Sequence, residues 1–98
     1  MDVNVSLESM IDMPNAFSPG SSPNSIFKPA YRGAVTLNYL RVFNRWGNKV
    51  FESKDINEGW DGTFNGKPQE IGVYIYMVEA KLPSGRIFQK QGNVTLIR

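Results

Sequence analysis

Apolar and polar residues alternate along most of the chain with a period of two. Val3, Val5 and Leu7 alternate with polar residues near the start, and longer alternating runs cover residues 35–46 and 72–82. This period is typical of β-strands that bury one face, and no segment has the 3.6-residue period of an amphipathic helix. The pattern therefore predicts an all-β protein.

Turn-forming residues separate the alternating runs. Residues 18–25 consist of Ser, Pro, Gly and Asn and predict an exposed loop. Further turns or loops are expected at 29–33, Trp46–Lys49, Asp61-Gly62, Asn65-Gly66 and Pro83–Arg86, and a break or bulge is expected at Gly92. About seven short strands joined in this way predict one domain, residues 1–98, with the fold of an antiparallel immunoglobulin-like β-sandwich.

Two local patterns refine this prediction. In the run 35–46, Leu37 falls on one face and Leu40 and Val42 on the other, so the buried face changes. A strand changes its buried face when it leaves one sheet environment for another or when it passes a bulge. Pro14 cannot donate a backbone hydrogen bond, so residues 13–17 are predicted to lie at the edge of a sheet.

Composition excludes several functional classes. The 98 residues include no cysteine and no histidine, which excludes disulfides, Cys–His or Ser-His-Asp catalysis and the common zinc sites. A net charge of +2 does not indicate nucleic-acid binding. No apolar run is long enough for a transmembrane helix, and no carboxylate pair has the spacing of a glycosidase site. The N-terminal sequence does not resemble a signal peptide, so we expect an intracellular protein or a piece of a longer exported chain. Because the common catalytic residues and a suitable carboxylate pair are missing, we do not expect an enzyme.

Five blocks of sequence together resemble a known family. The chain is similar, over about residues 13–98, to the gliding-motility-associated C-terminal domain of Bacteroidetes, the type B sorting domain of the type IX secretion system. The blocks that carry this resemblance are Pro14–Pro19, Val42–Glu52, Trp60–Lys67, Gly72–Tyr76 and Gly92–Arg98.

The resemblance implies a function that composition alone does not suggest. Such domains are small, non-enzymatic β-sandwiches at the C-terminal end of exported proteins. After Sec export to the periplasm, they direct transport through the type IX translocon to the cell surface or medium. An outer-membrane β-barrel of the PorP type is the usual partner. The family loop after Ser-Pro is rich in acidic residues, but residues 20–25 contain no carboxylate, so we expect no metal and no cofactor.

Two tryptophan blocks are candidates for recognition. Arg45-Trp46-Gly47 is either a partner-binding feature or a buried Trp at a hairpin, with Arg45 paired to a carboxylate such as Asp61 or Glu52. Trp60-Asp61-Gly62 either forms a sugar-stacking platform with Trp46 or fixes a long loop to the sandwich, with Asp61 capping the turn. The second interpretation makes this block structural, together with Asn65 and Gly66.

The terminal run is the third candidate. The run consists of Val94, Thr95, Leu96, Ile97 and Arg98. It is predicted to be an inner strand, or an exposed edge strand that a partner binds by strand addition. The two interpretations are compatible, because one strand can pack by one face and expose its edge. Together these observations predict a sorting signal that acts by protein–protein recognition. The alternatives are an extracellular carbohydrate-binding or adhesion module that uses Trp46 and Trp60, and a structural spacer.

Overall fold

A computed structural model describes residues 10–20 and 25–98, and these ranges contain strands but no helix. The prediction of an all-β fold is confirmed. The first predicted strand, residues 3–7, lies outside the described residues. In chain order the strands are β1 (Met10–Asp12), β2 (Ala16–Phe17), β3 (Ala30–Arg32), β4 (Thr36–Phe43), β5 (Lys49–Ser53), β6 (Thr63–Phe64), β7 (Lys67–Pro68), β8 (Gly72–Lys81) and β9 (Ile87–Leu96).

One five-stranded sheet dominates the fold, with the strand order β2-β9-β8-β4-β5. Its pairs are antiparallel except that β2 runs parallel to β9, so the sheet is mostly antiparallel, as predicted, with one parallel pair at its edge. The strand β2 lies at the edge of the sheet, as Pro14 predicts. Two smaller antiparallel sheets pair β1 with β3 and β6 with β7.

The core lies on one face of the large sheet. Segments outside this sheet cover that face with Met13, Phe27 and Trp60, and the backbones of Phe27 and Trp60 exchange hydrogen bonds of 2.8 and 2.9 Å. This two-layer arrangement agrees with an immunoglobulin-like β-sandwich. The sheet contributes these buried residues: Phe17, Leu37, Leu40, Val42, Val50, Tyr74, Tyr76, Val78, Val94 and Leu96.

Of the two explanations for the change of face in the long strand, the structure shows the bulge. The pairing of β4 with β8 shifts register between Leu37 and Tyr39, which turns Leu37, Leu40 and Val42 all towards the core. The expectation of a loop at residues 29–33 is wrong for residues 30–32, because β3 pairs with β1 there. All three residues of β3 are exposed, so no alternation of burial marked this strand in the sequence.

Gly92 does not interrupt the last strand. The predicted break is wrong, since β9 pairs with β8 continuously from Ile87 to Leu96. A Cβ atom on Gly92 would lie 2.8 Å from the hydroxyl oxygen of Tyr76, on the neighbouring strand. The glycine therefore leaves room for a buried tyrosine ring and does not end the strand.

The Asn65-Gly66 turn has the conformation that its sequence predicts. Asn65 and Gly66 have φ angles of 55° and 79° and join β6 to β7. Positive φ at both central residues is characteristic of a two-residue type I′ hairpin, which favours Asn-Gly. This turn brings Lys67 and the segment after it back towards the end of the large sheet.

Candidate functional site

The β4–β5 turn holds Trp46 out in solvent. The side-chain oxygen of Asn44 accepts hydrogen bonds from the backbone N–H groups of Trp46 and Asn48, both at 2.9 Å. The N–H of Gly47 donates to the carbonyl of Asn44 at 2.9 Å. Trp46 is 74% exposed, so the interpretation that it is a buried hairpin residue is wrong. The bonds that order this turn are local, and no strand in the described part of the chain covers the indole.

Arg45 accompanies the exposed indole. Its guanidinium carbon lies 5.2 Å from the centre of the Trp46 ring, within cation–π range. Its terminal nitrogen lies 3.8 Å from a carboxylate oxygen of Glu70, and both side chains are exposed, so this ion pair is weak. The prediction that Arg45 pairs with Asp61 or Glu52 is therefore wrong.

Glu52 already has other cationic partners. Lys49 and Arg41 both donate hydrogen bonds to its carboxylate. The bond from Lys49, followed by the bond from Arg41, lowers the pKa of Glu52 to about 2. This charge network lies on the open face of the sheet and leaves Arg45 without a short salt bridge to Glu52.

A groove separates the turn from the segment that precedes β8. It has a volume of about 260 Å³, and it is lined by residues 44–46 on one side and 68–74 on the other. We call it the Trp46 groove. Its size is just below that of typical small-molecule sites, and it is open to solvent. The geometry suits the edge or side chain of another protein better than an enclosed metabolite.

Three hydrogen bonds hold the second wall of the groove. The Arg98 guanidinium donates to the carbonyl oxygen of Gln69, and the N–H of Gln69 donates to the carbonyl of Gly62 at 2.8 Å. The Tyr74 hydroxyl donates to the carbonyl of Glu70 at 2.6 Å, and burial raises its pKa. The terminal arginine therefore contacts the groove wall opposite Arg45 and Trp46.

The terminal run is an inner strand over most of its length. Val94 and Leu96 are buried in the core, and Ile97 and Arg98 are exposed. The N–H groups of Thr95 and Ile97 donate to the carbonyls of Asn15 and Phe17 at 3.0 and 2.9 Å. The interpretation of this run as an open edge is therefore wrong at these residues, because β2 already occupies that edge.

The second tryptophan has a structural role. Trp60 is 1% exposed, and its ring centre lies 5.3 Å from that of Phe17 and 4.9 Å from that of Tyr74. Its Nε1–H donates to the carbonyl of Thr63 at 2.8 Å. The prediction of a sugar-stacking platform made of Trp46 and Trp60 is therefore wrong, because the Trp60 indole is inaccessible.

Asp61 and Gly62 complete this structural block. The Asp61 carboxylate accepts hydrogen bonds from the backbone N–H and the hydroxyl of Thr63, at 3.0 and 2.7 Å, so it caps the turn as expected. A Cβ atom on Gly62 would lie 2.9 Å from Pro19 and 3.4 Å from Leu96. Blocks that are distant in the sequence thus meet at one end of the core.

Comparison with protein families identifies the family of the chain. The family model of the CHU_C type IX secretion signal domain matches residues 11–96. The chain belongs to this family. It is a sorting-signal domain of a secreted or surface-exported protein, its family is not enzymatic, and its role implies interaction with the secretion machinery. Searches of curated proteins and of solved structures gave no match.

The signal domain shows no metal-binding cluster among its described residues, where no three acidic side chains converge. Those residues also contain no helix that could cross a membrane. The Trp46 groove lies between Arg45 and Trp46 on one side and the segment that Arg98 contacts at Gln69 on the other. Sequence reasoning missed its second wall, Gln69–Val73, because nothing in that segment signals that it folds back opposite the β4–β5 turn.

Proposed function

We propose that the secretion machinery recognises this signal domain in its folded state, through the Trp46 groove and the turn that bears Trp46. The observation that carries the proposal is the 74% exposure of Trp46 on a hydrogen-bonded turn. Recognition is by binding alone, and no chemical step is involved.

The chemistry of the surface supports a protein partner. Trp and Arg are the residue types most enriched among the side chains that dominate binding energy at protein interfaces. Here Arg45 and Trp46 are adjacent, and the apolar side chains of Ile71 and Val73 are exposed nearby. Because Asn44 already orders the turn, a partner does not have to fix its backbone on binding, which lowers the entropic cost.

The proposed partner is an outer-membrane β-barrel of the PorP type within the type IX translocon. In this scheme the domain passes through the periplasm with its cargo, and the barrel binds the Trp46 groove before transport across the outer membrane. The folded terminal strand contributes through Arg98, which contacts the wall of the groove at Gln69. Val94, Thr95 and Leu96 pair with Tyr74, Val73 and Gly72 of β8, which line the groove.

The test is export of a neutral carrier fused to residues 1–98, in a bacterium with a type IX secretion system. We expect Trp46→Ala to leave the carrier in the periplasm, with at least a 30-fold loss of partner affinity if Trp46 contributes about 2 kcal/mol. Ile87→Ala is the matched control, because Ile87 is an exposed apolar residue at the other end of β9, about 30 Å along the strand.

Normal export of the Trp46→Ala fusion would contradict the proposal. Loss of export in the Ile87→Ala control to the same degree would also contradict it, since the effect would then not belong to the groove. Circular dichroism on both variants confirms that each remains folded.

A further inference from the structure

The sheet is incomplete next to the Trp46 groove. The last residue pair between β4 and β8 is Phe43 with Ile75. The strand β8 begins three residues earlier in the chain, at Gly72, so Gly72–Tyr74 have no partner in β4. After Phe43 the chain enters the β4–β5 turn, where the N–H of Asn44 donates to the carbonyl of Asn48 at 2.9 Å. Among residues 10–20 and 25–98, none is paired with the end of β8 on the β4 side.

The direction of the free backbone groups follows from the pairing on the other side of the sheet. Thr95 and Ile97 donate their N–H groups to the β2 segment, so the backbone groups of Val94 and Leu96 point towards β8. Backbone groups alternate in direction along a strand, and Val94 is paired with Tyr74. The backbone N–H and C=O of Tyr74 thus point towards β9, and those of Val73 point to the opposite side, into the groove.

The side chains around this free edge are aromatic and positively charged. Trp46 offers an exposed ring and Arg45 an exposed cation whose nearest carboxylate, that of Glu70, lies 3.8 Å away. Among the residues that the structure describes, Arg45 and Arg98 outweigh Glu70 beside the groove, so its rim is net positive. An exposed strand edge of this kind accepts an extended peptide by strand addition.

We propose that an extended segment of the recognising protein adds to the sheet beside Val73, in the place that β4 vacates. Its backbone pairs with the N–H and C=O of Val73, a carboxylate side chain faces Arg45, and an apolar side chain packs on Trp46. This inference rests on the proposed function and specifies its partner as an acidic, extended segment.

A proline substitution isolates the backbone contact. Val73→Pro removes the free N–H without removing a hydrogen bond from the β8–β9 ladder, and Val73→Ala retains the N–H while shortening the side chain. Gln91→Pro is the matched control, because the same alternation points the Gln91 N–H to the opposite edge, where β2 pairs only with Thr95 and Leu96.

Export of the carrier fusion should separate these variants. We expect Val73→Pro to weaken recognition roughly 2- to 12-fold, the value of one backbone hydrogen bond, and Gln91→Pro to change it less than twofold. Val73→Ala, which keeps the N–H but shortens an apolar side chain of the groove, should weaken recognition less than Val73→Pro does. Arg45→Glu should reduce export strongly, and Arg86→Glu, an exposed control at the other end of the sheet, should not.

The outcomes distinguish this inference from the proposed function. If Trp46→Ala blocks export while Val73→Pro and Arg45→Glu are exported normally, strand addition is overturned and the proposed function stands. If all three are exported normally, both are overturned. Hydrogen exchange on the free wild-type domain gives an independent check: the Val73 amide should exchange much faster than that of Tyr74, and equal protection would overturn the inference even if the proline variant does not fold.

Discussion

The two tryptophans allow one substitution to be compared in two tertiary environments. Trp60 is 1% exposed and precedes the Asp61-Gly62 turn, whereas Trp46 is 74% exposed and lies within the β4–β5 turn. Replacement of Trp60 by Ala removes the ring contacts with Phe17 and Tyr74 and the hydrogen bond to the Thr63 carbonyl. The same replacement of Trp46 removes a side chain that the core does not contact.

The expected difference in stability is large. Trp→Ala substitutions in a core cost about 3–5 kcal/mol in the free energy of unfolding, because contacts are lost and a cavity remains. A domain of this size has about 5–15 kcal/mol in total, so Trp60→Ala is expected to be marginally folded. Surface substitutions usually change stability by no more than about 0.5 kcal/mol, and we expect that for Trp46→Ala.

Urea unfolding followed by circular dichroism at 25 °C measures both free energies, provided that the dependence on urea concentration keeps the same slope. A loss of less than about 1 kcal/mol for Trp60→Ala, or comparable losses for the two variants, would refute the reasoning from burial. The Trp46→Ala result also shows whether the export test reports on a folded domain.

Two further predictions concern Glu52 and the terminal strand. The pKa of Glu52 is lowered from 4.5 to about 2 by Lys49 and Arg41, so its ionised form stabilises the fold above about pH 4.5 and this contribution is lost as the pH falls through about 2. Glu52→Gln should therefore have a lower melting temperature than wild type at pH 7, and the difference should shrink, and not grow, on acidification at constant ionic strength. Deletion of residues 94–98 removes buried Val94 and Leu96, each worth about 2–5 kcal/mol by analogy with large-to-small substitutions, so we expect an unfolded domain by circular dichroism. If the truncated chain keeps its β-sheet spectrum and a cooperative transition, the terminal strand is not part of the core.

Local chemistry made much of this fold predictable. Alternation over residues 35–46 and 72–82 predicted the two long central strands, and the change of face at Leu37 and Leu40 indicated either a bulge, which the structure shows, or a change of sheet environment. Asn65-Gly66 predicted its hairpin because only a few residue types adopt positive φ at low cost. These features depend on residues close together in the chain.

Features that depend on distant residues were not predictable in this way. Gly92 looked like a strand break, but Tyr76 on the neighbouring strand requires the missing Cβ. The terminal run looked equally suited to an edge or an inner position until β2 was seen to pair with Thr95 and Leu96. A short strand such as β3, with no buried side chain, left no alternation to detect.

The sequence by itself determined that the chain is a β-protein, where its main turns lie, and, through five blocks of residues, which family it resembles. Only the tertiary structure decided that Trp60 is buried and Trp46 exposed, and that Arg98 contacts the groove wall opposite Arg45. It also decided that β8 extends beyond its last pair with β4, which leaves Val73 at a free edge. The physical reason is that strand and turn preferences arise from the backbone and near neighbours, whereas exposure and edge pairing depend on which remote segments cover a residue.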